Sequence, residues 1–82
     1  MIFPEYPGHF DGNPIVPGAA LLTAVEAAVG RAIAHLDRVR FLGVVRPGEE
    51  VEVRFSVDGP ALRFSVWRGG VEVVRGVGAV AG

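Results

Sequence analysis

A ten-residue stretch near the amino terminus combines residue types that acid–base chemistry uses. It runs from His9 to Gly18 and contains two prolines and two glycines, which hold the backbone on an extended, turning path. The His9 imidazole can take up a proton near neutral pH. Pro17 and Gly18 stand where a helix would begin, and the amides and positive dipole end at such a start can hold a developing negative charge. This arrangement favours proton abstraction by His9 beside an oxyanion site at Gly18.

One long helix is expected to position these groups. Apolar residues occupy more than one face from residue 18 to about residue 36, which predicts a helix of roughly 18 residues and about 27 Å, buried on most sides. Gly30 in its interior suggests that another backbone approaches closely. His35 and Asp37 are expected to mark its end.

Four strands are predicted to follow the helix, separated by turn signals at residues 47–48, 58–60 and 69–70. Short connections make neighbouring strands antiparallel, so the expected order is one helix and then a meander. The helix is the only element available to cover the apolar face of the sheet. The sequence therefore predicts an α+β fold in one domain over residues 1–82, with strands at residues 38–45, 50–57, 61–67 and 71–80.

Composition narrows the function classes. Half of the 82 residues are hydrophobic, which is high for so small a domain and predicts a homodimer or a higher even multimer. The net charge of −1 argues against nucleic-acid binding, which relies on clustered excess positive charge. No apolar stretch reaches the ~20 residues of a membrane span. We expect a soluble, cytoplasmic protein without a membrane or nucleic-acid partner.

The residues that are missing exclude several kinds of site. The chain has no cysteine, no lysine and only two histidines, which excludes thiol nucleophiles, disulfides, lysine Schiff bases and thiolate or histidine-rich metal sites. We therefore expect neither a cofactor nor a metal. Most arginines of the strands and turns are expected to be ordinary solvated charges, although some are candidates to pair with a phosphate of a bound ligand.

The segment YPGHFDGNPIVPG at residues 6–18, followed by an Ala- and Leu-rich helix, resembles the signature of the β-hydroxyacyl-acyl carrier protein dehydratases. FLGVVRPGEE at residues 41–50 is similar to the family's strand and Pro-Gly turn. The resemblance covers about residues 3–80. It implies the hotdog fold, a long central helix wrapped by a curved antiparallel sheet. Relatives carry a further portion before the signature, so the chain is expected to be either truncated or a minimal, N-terminally reduced member.

The resemblance also implies a reaction. It is the dehydration or hydration of a 3-hydroxyacyl thioester, carried by acyl carrier protein or coenzyme A, in fatty-acid-type metabolism. His9 would remove the C2 proton, and the Gly18 amide would donate to the thioester carbonyl. Phe10, Gly12 and Pro17 of the same motif, together with Thr23 on the helix, are expected to contact substrate. In relatives the site lies between two subunits.

One catalytic position departs from the family pattern. The catalytic carboxylate of relatives lies on the helix fourteen residues after the histidine, and this position is Thr23 here. A threonine hydroxyl does not release a proton near neutral pH as a carboxylic acid can. Either a water held by the partner's Thr23 supplies the proton to the leaving group, or Glu26 does so, displaced by about 4.5 Å along the helix. For Thr23 the sequence favours a satisfied buried hydroxyl over a catalyst. For Glu26 it leaves open whether the carboxylate has a partner, lies in a solvated cleft or takes part in chemistry.

Three functions stay open from the sequence. The first is a 3-hydroxyacyl-[acyl-carrier-protein] dehydratase-like lyase. The alternative is a non-catalytic domain that binds acyl thioesters, which the threonine at position 23 favours. A hotdog thioesterase is a third reading, but it needs a carboxylate placed to activate water, and no residue points to one.

Overall fold

One helix and four antiparallel strands make up the fold. The computed structural model describes residues 1–4 and 15–82. Within these ranges the predicted α+β class and the number of strands are confirmed, and the arrangement is consistent with a hotdog fold. The elements are α1 (Gly18–Val29), β1 (Ile33–Phe41), β2 (Glu52–Asp58), β3 (Ala61–Arg68) and β4 (Val71–Val80).

The helix is shorter than the sequence predicted. It begins at Gly18, as expected, but it ends at Val29 after 12 residues. Gly30 adopts the left-handed conformation with φ 78°, and its N–H donates to the Glu26 carbonyl, which is a helix C-terminal cap. The predicted backbone approach at Gly30 is wrong, because no described atom lies within 4 Å of where its Cβ would be. No helix in the described ranges is long and apolar enough to cross a membrane.

The residues beyond Gly30 form a strand instead of further helical turns. β1 begins at Ile33, five residues before the predicted start. His35 therefore lies on a strand, with its Nε2 3.5 Å from the Asp37 carboxylate, and the expectation that it marks a helix end is wrong. The apolar residues Ile33 and Leu36 fit a helical spacing and a strand equally well over so short a run.

The strand order is β1-β4-β3-β2. Tight turns at Gly59 and Gly69-Gly70 join β2, β3 and β4 into the predicted antiparallel meander. β1 pairs with β4 instead of β2, so the meander does not include the first strand. The ten residues between β1 and β2 carry the chain from one edge of the sheet to the other, which is longer than a hairpin turn needs.

α1 packs against β2 and β3 on one face of the sheet, which we call the inner face. Leu21, Ala24 and Val25 are the buried residues of α1, so the predicted burial on most sides is wrong for the single chain. Apolar residues near the sheet edges stay exposed on the inner face, among them Phe55 at 45%. The core consists of the following buried residues: Phe3, Val16, Leu21, Ala24, Val25, Val45, Val51, Leu62, Phe64, Val66, Val73, Val74 and Val80.

Candidate active site

The first turn of α1 opens into an apolar cleft of about 320 Å³, the Gly18 cleft. Pro17 precedes the helix with extended angles, φ −60° and ψ 146°, and no side chain caps the first turn. The first amides of a helix have no intrahelical acceptor, and the Gly18 N–H has no acceptor among the described residues. The cleft therefore joins an apolar wall to a backbone donor at the positive end of a helix. Its lining is Ile15, Val16, Gly18, Leu21, Phe41, Gly43, Val44 and Val45.

Phe41 lies directly against Gly18. A Cβ at Gly18 would come within 3.0 Å of the Phe41 ring atoms Cε1 and Cζ, which is closer than carbon atoms pack without adjustment. The missing side chain therefore lets an aromatic wall sit beside the amide. Phe41 itself is 54% exposed, so the ring faces the open side of the cleft.

The segment that follows β1 forms the other wall of the Gly18 cleft, and hydrogen bonds to several elements hold it. The Val16 N–H donates to the Val45 carbonyl at 2.7 Å, and the Leu42 N–H donates to the Val73 carbonyl at 2.8 Å. The Arg68 guanidinium donates to the Val44 carbonyl. These bonds connect the helix start, β4 and β3 to one segment, so the wall is fixed relative to the Gly18 amide.

A second apolar groove of about 480 Å³, the Thr23 cleft, runs along another side of the same helix. It is lined by Met1, Phe3, Ala19, Ala20, Thr23, Ala24 and Ala27. Thr23 is the one polar side chain of this lining. It is exposed in the single chain, so the expectation of a buried hydroxyl is wrong.

The Thr23 hydroxyl is already engaged. Its Oγ1 donates to the Ala19 carbonyl at 3.0 Å, so the expectation of a satisfied hydroxyl is correct. The only hydroxyl proton is used in this bond, and the oxygen keeps lone pairs that accept. Thr23 can therefore hold a water by accepting from it, but in this rotamer it has no proton to give.

Glu26 has a structural partner. Its carboxylate Oε2 accepts from the Ile33 N–H at 2.6 Å, and its backbone carbonyl accepts from the Gly30 cap. The side chain is half-buried and lines neither cleft. Of the reasons that the sequence left open for this carboxylate, the structure supplies the partner: Glu26 connects the end of α1 to the start of β1.

The structure places Gly18 in the lining of the Gly18 cleft, directly after Pro17, and places Thr23 in the lining of the other cleft. His9, Phe10 and Gly12 lie outside the described residues. Sequence reasoning missed Phe41 and Arg68 as residues of the cleft and its wall. Phe41 belongs to the segment already compared with the family turn, but no spacing signalled its contact with Gly18. No group of three or more histidine or acidic residues that could hold a metal occurs among residues 1–4 and 15–82.

The sequence matches the ApeI-like family, described as ApeI dehydratase, over residues 3–76. The chain belongs to this family. The match includes the motif around His9, all of α1 and the strands β1 to β3. The ApeI-like assignment therefore covers both clefts and the segment that precedes them.

The chain is also similar to individual proteins that are named as dehydratases. The chain is 30% identical over 91 aligned residues to the 3-hydroxyacyl-[acyl-carrier-protein] dehydratase FabZ of Caldanaerobacter subterraneus, covering 95% of this chain and 64% of the relative. It is 37% identical over 59 residues to the FabZ of Caldicellulosiruptor saccharolyticus, covering 56% and 42%. The FabZ of Legionella pneumophila is 32% identical over 79 residues, covering 77% and 51%. The chain thus spans less than two thirds of the length of these dehydratases.

Proposed function

We propose that the protein dehydrates 3-hydroxyacyl thioesters, or hydrates the corresponding enoyl thioesters, carried by acyl carrier protein or coenzyme A. The observation that carries the proposal is Gly18 at the helix start, which lines an apolar cleft and whose N–H has no acceptor among the described residues, in a chain that matches a dehydratase family over residues 3–76. An acyl chain suits the apolar lining, and a thioester oxygen suits the amide. The proposal includes a single hotdog domain over residues 1–82.

In the proposed reaction His9 removes the C2 proton of the substrate. The electron pair of that bond moves toward the thioester, and negative charge develops on the carbonyl oxygen. The Gly18 amide donates to this oxygen and stabilises the charge. The bond between C3 and the hydroxyl then breaks, and the hydroxyl leaves as water when it receives a proton. Phe10, Gly12 and Pro17 contact the substrate in this scheme.

In the first route, the proton for the leaving hydroxyl comes from a water that the Thr23 oxygen holds, and the His9 imidazolium, which carries the C2 proton, returns a proton to the hydroxide that this water becomes. In the second route, a protonated Glu26 donates the proton. The bond from Thr23 to the Ala19 carbonyl leaves the threonine oxygen able to accept from a water. For Glu26 to serve, its carboxylate must first leave the Ile33 N–H. The existing contact therefore supports the water on Thr23 over Glu26.

A second subunit completes the site in this proposal. Gly18 and Thr23 line different clefts of one chain, so the Thr23 of one subunit meets the Gly18 cleft of another. The exposed Phe55, Leu36 and Val57 and the free edges of β1 and β2 are surfaces that a homodimer or higher even multimer would cover. Sedimentation at micromolar concentration tests this assembly. A monodisperse monomer contradicts the shared site.

The direct test of the function is a turnover assay with 3-hydroxybutyryl and crotonyl thioesters. Following the absorbance of the conjugated double bond and the release of free thiol together separates two reactions. Dehydration changes the double-bond signal and releases no thiol, and this is the expected result. Thiol release without a change in the double bond identifies a thioesterase and contradicts the proposal.

A specific observation favours a second candidate, a non-catalytic domain that binds acyl thioesters. The two side chains named as proton donors, Thr23 and Glu26, both have partners within the chain. Such a domain binds a 3-hydroxyacyl thioester at the Gly18 cleft and returns it unchanged. Saturable binding without turnover at every chain length selects this function.

A further inference from the structure

The face of the sheet opposite α1 carries a regular set of arginines, which we call the arginine face. The pairing of the strands places the residues of this face in two rows that run across the sheet. One row is Arg54, Ser65, Arg75 and Arg40, and the other is Ser56, Arg63, Val77 and Arg38. Residues directly opposite each other on neighbouring strands point to the same side of the sheet. Five of the eight arginines therefore share one face of a chain whose net charge is −1.

Three of these arginines have no charged partner among the described residues. Arg54 is held by the Glu52 carboxylate at 2.7 Å and lies over the Trp67 ring, 4.3 Å from its centroid. Arg75 donates to Glu72, which raises the pKa of its guanidinium, chiefly through the hydrogen bond and then through the charge. Within residues 1–4 and 15–82, no ion pair or hydrogen bond engages the exposed side chains of Arg38, Arg40 and Arg63.

The pairing of Arg40 with Arg75 is unfavourable for the folded chain alone. These residues are directly opposite each other on β1 and β4, and like charges in that position destabilise a sheet. Glu72 offsets the charge of Arg75 only. An external group with several negative charges would relieve the repulsion and engage the unpaired guanidiniums.

The spacing of the arginine face selects the kind of partner. Ser65 separates Arg54 from Arg75, and Val77 separates Arg63 from Arg38. The close pairs are Arg40 with Arg75, on neighbouring strands about 4.8 Å apart, and Arg38 with Arg40, two residues apart on β1 and about 6.8 Å apart. Carboxylates on successive turns of a helix lie about 5 to 6 Å apart at their Cβ atoms, which matches this spacing. Guanidinium groups also pair well with carboxylates through two hydrogen bonds.

Acidic residues bound the arginine rows on both sides. Glu52 and Glu72 lie at one end, and Asp37 and Asp58 lie at the other. A long polyanion along the strands, or the plane of an anionic bilayer, would bring negative charge against these carboxylates. A short acidic helix laid across the strands meets the arginines and avoids the acids.

We propose that the arginine face is a docking surface for an acidic protein partner that presents a helix with carboxylates one turn apart. The surface lies across the sheet from the Gly18 cleft, so a carrier that delivers an acyl chain to the cleft approaches from the other side. The docked protein is a second partner, and its binding does not depend on the proposed reaction.

The proposal is tested by fluorescence anisotropy with the full chain and a labelled 20-residue helical Ala/Glu peptide, whose glutamates recur every four residues. The matched probes are the same peptide with glutamine for glutamate and a ten-nucleotide oligo-dT. We expect binding of the glutamate peptide that weakens with added salt, and weaker binding of both other probes. Absence of glutamate-peptide binding at low salt, or tighter binding of the oligonucleotide, overturns the proposal.

Variants test whether the glutamate peptide binds to the arginine face. The double variant Arg40→Gln with Arg63→Gln should weaken glutamate-peptide binding by about five- to tenfold, since two exposed charge contacts are lost. Arg31→Gln removes the same charge from the segment after α1, where Arg31 contacts the Ala81 carbonyl, and should change binding less than twofold. If the double variant does not fold, Arg63→Gln alone should weaken binding about two- to threefold. Equal effects of Arg31→Gln and the face variants contradict the proposal.

Discussion

The Gly18 cleft and the Thr23 cleft lie on different sides of α1, and they offer a substrate different chemistry. The Gly18 cleft presents a backbone amide whose position follows from where the helix begins. Among the described residues, the Thr23 cleft presents one polar side chain, and the hydroxyl of that side chain already donates its hydrogen bond to the Ala19 carbonyl. A donor built from backbone depends on the fold, whereas a donor built from a side chain depends on a single residue. The stabilisation of charge on the thioester oxygen therefore follows from the fold, whereas the protonation of the leaving hydroxyl depends on one residue.

The largest expected effect tests whether a base serves the Gly18 cleft. His9→Ala should lower turnover of a 3-hydroxyacyl thioester by about 10²- to 10⁴-fold, which is what a positioned general base contributes. Its melting temperature should stay close to that of the wild type, because the turn-rich sequence around His9 predicts that it contributes little packing. Steady-state kinetics and thermal unfolding of the same preparation measure both. Unchanged turnover removes His9 from the mechanism, and a large loss of stability assigns it a structural role.

The next largest effect is expected from giving the Thr23 cleft a proton donor of its own. Thr23→Glu places a carboxylic acid where the family pattern has one, so turnover should rise by about 10²-fold if a general acid is what the wild type lacks. Thr23→Gln is the matched control, since it has a similar size and no acidic proton. Both variants must melt near the wild-type temperature before their rates are compared. Equal rates for the two variants contradict an acid at this position.

The smallest effect concerns Glu26, which lines neither cleft. Glu26→Ala should lower the free energy of unfolding by about 1–2 kcal/mol, because the Ile33 N–H loses a charged acceptor. Glu26→Gln keeps a neutral acceptor and should cost less than the alanine variant. Neither should change turnover by more than about twofold. Abolished turnover in Glu26→Gln with intact stability would show that the acid has moved by one helical turn.

The elements that the sequence predicted best are those with local signals. Pro17 and Gly18 marked the start of α1 correctly, and the glycines between β2, β3 and β4 marked their turns. The end of α1 was missed because Gly30 was interpreted as an interior residue, although a glycine also ends a helix by adopting positive φ. The apolar residues after it then continued a helical pattern that belongs to a strand.

Features that depend on contacts between distant residues could not be predicted from the sequence. The pairing of β1 with β4 depends on the path of the ten-residue connection, which carries no pairing signal of its own. The contact between Gly18 and Phe41 and the bond from Ile33 to Glu26 follow from that pairing and from the early end of the helix. The candidate chemistry was therefore predicted for Gly18, which a local motif marks, and left open for Glu26, whose partner lies beyond the helix.

The most direct measurement compares Gly18→Pro with Gly18→Ala. Both variants place a Cβ against the Phe41 ring, but only proline removes the amide N–H, and proline is well tolerated as the first residue of a helix. If the Gly18 amide stabilises the charge on the thioester oxygen, kcat should be about 10²- to 10³-fold lower for Gly18→Pro than for Gly18→Ala, with similar melting temperatures. Equal kcat values for the two folded variants would contradict the account.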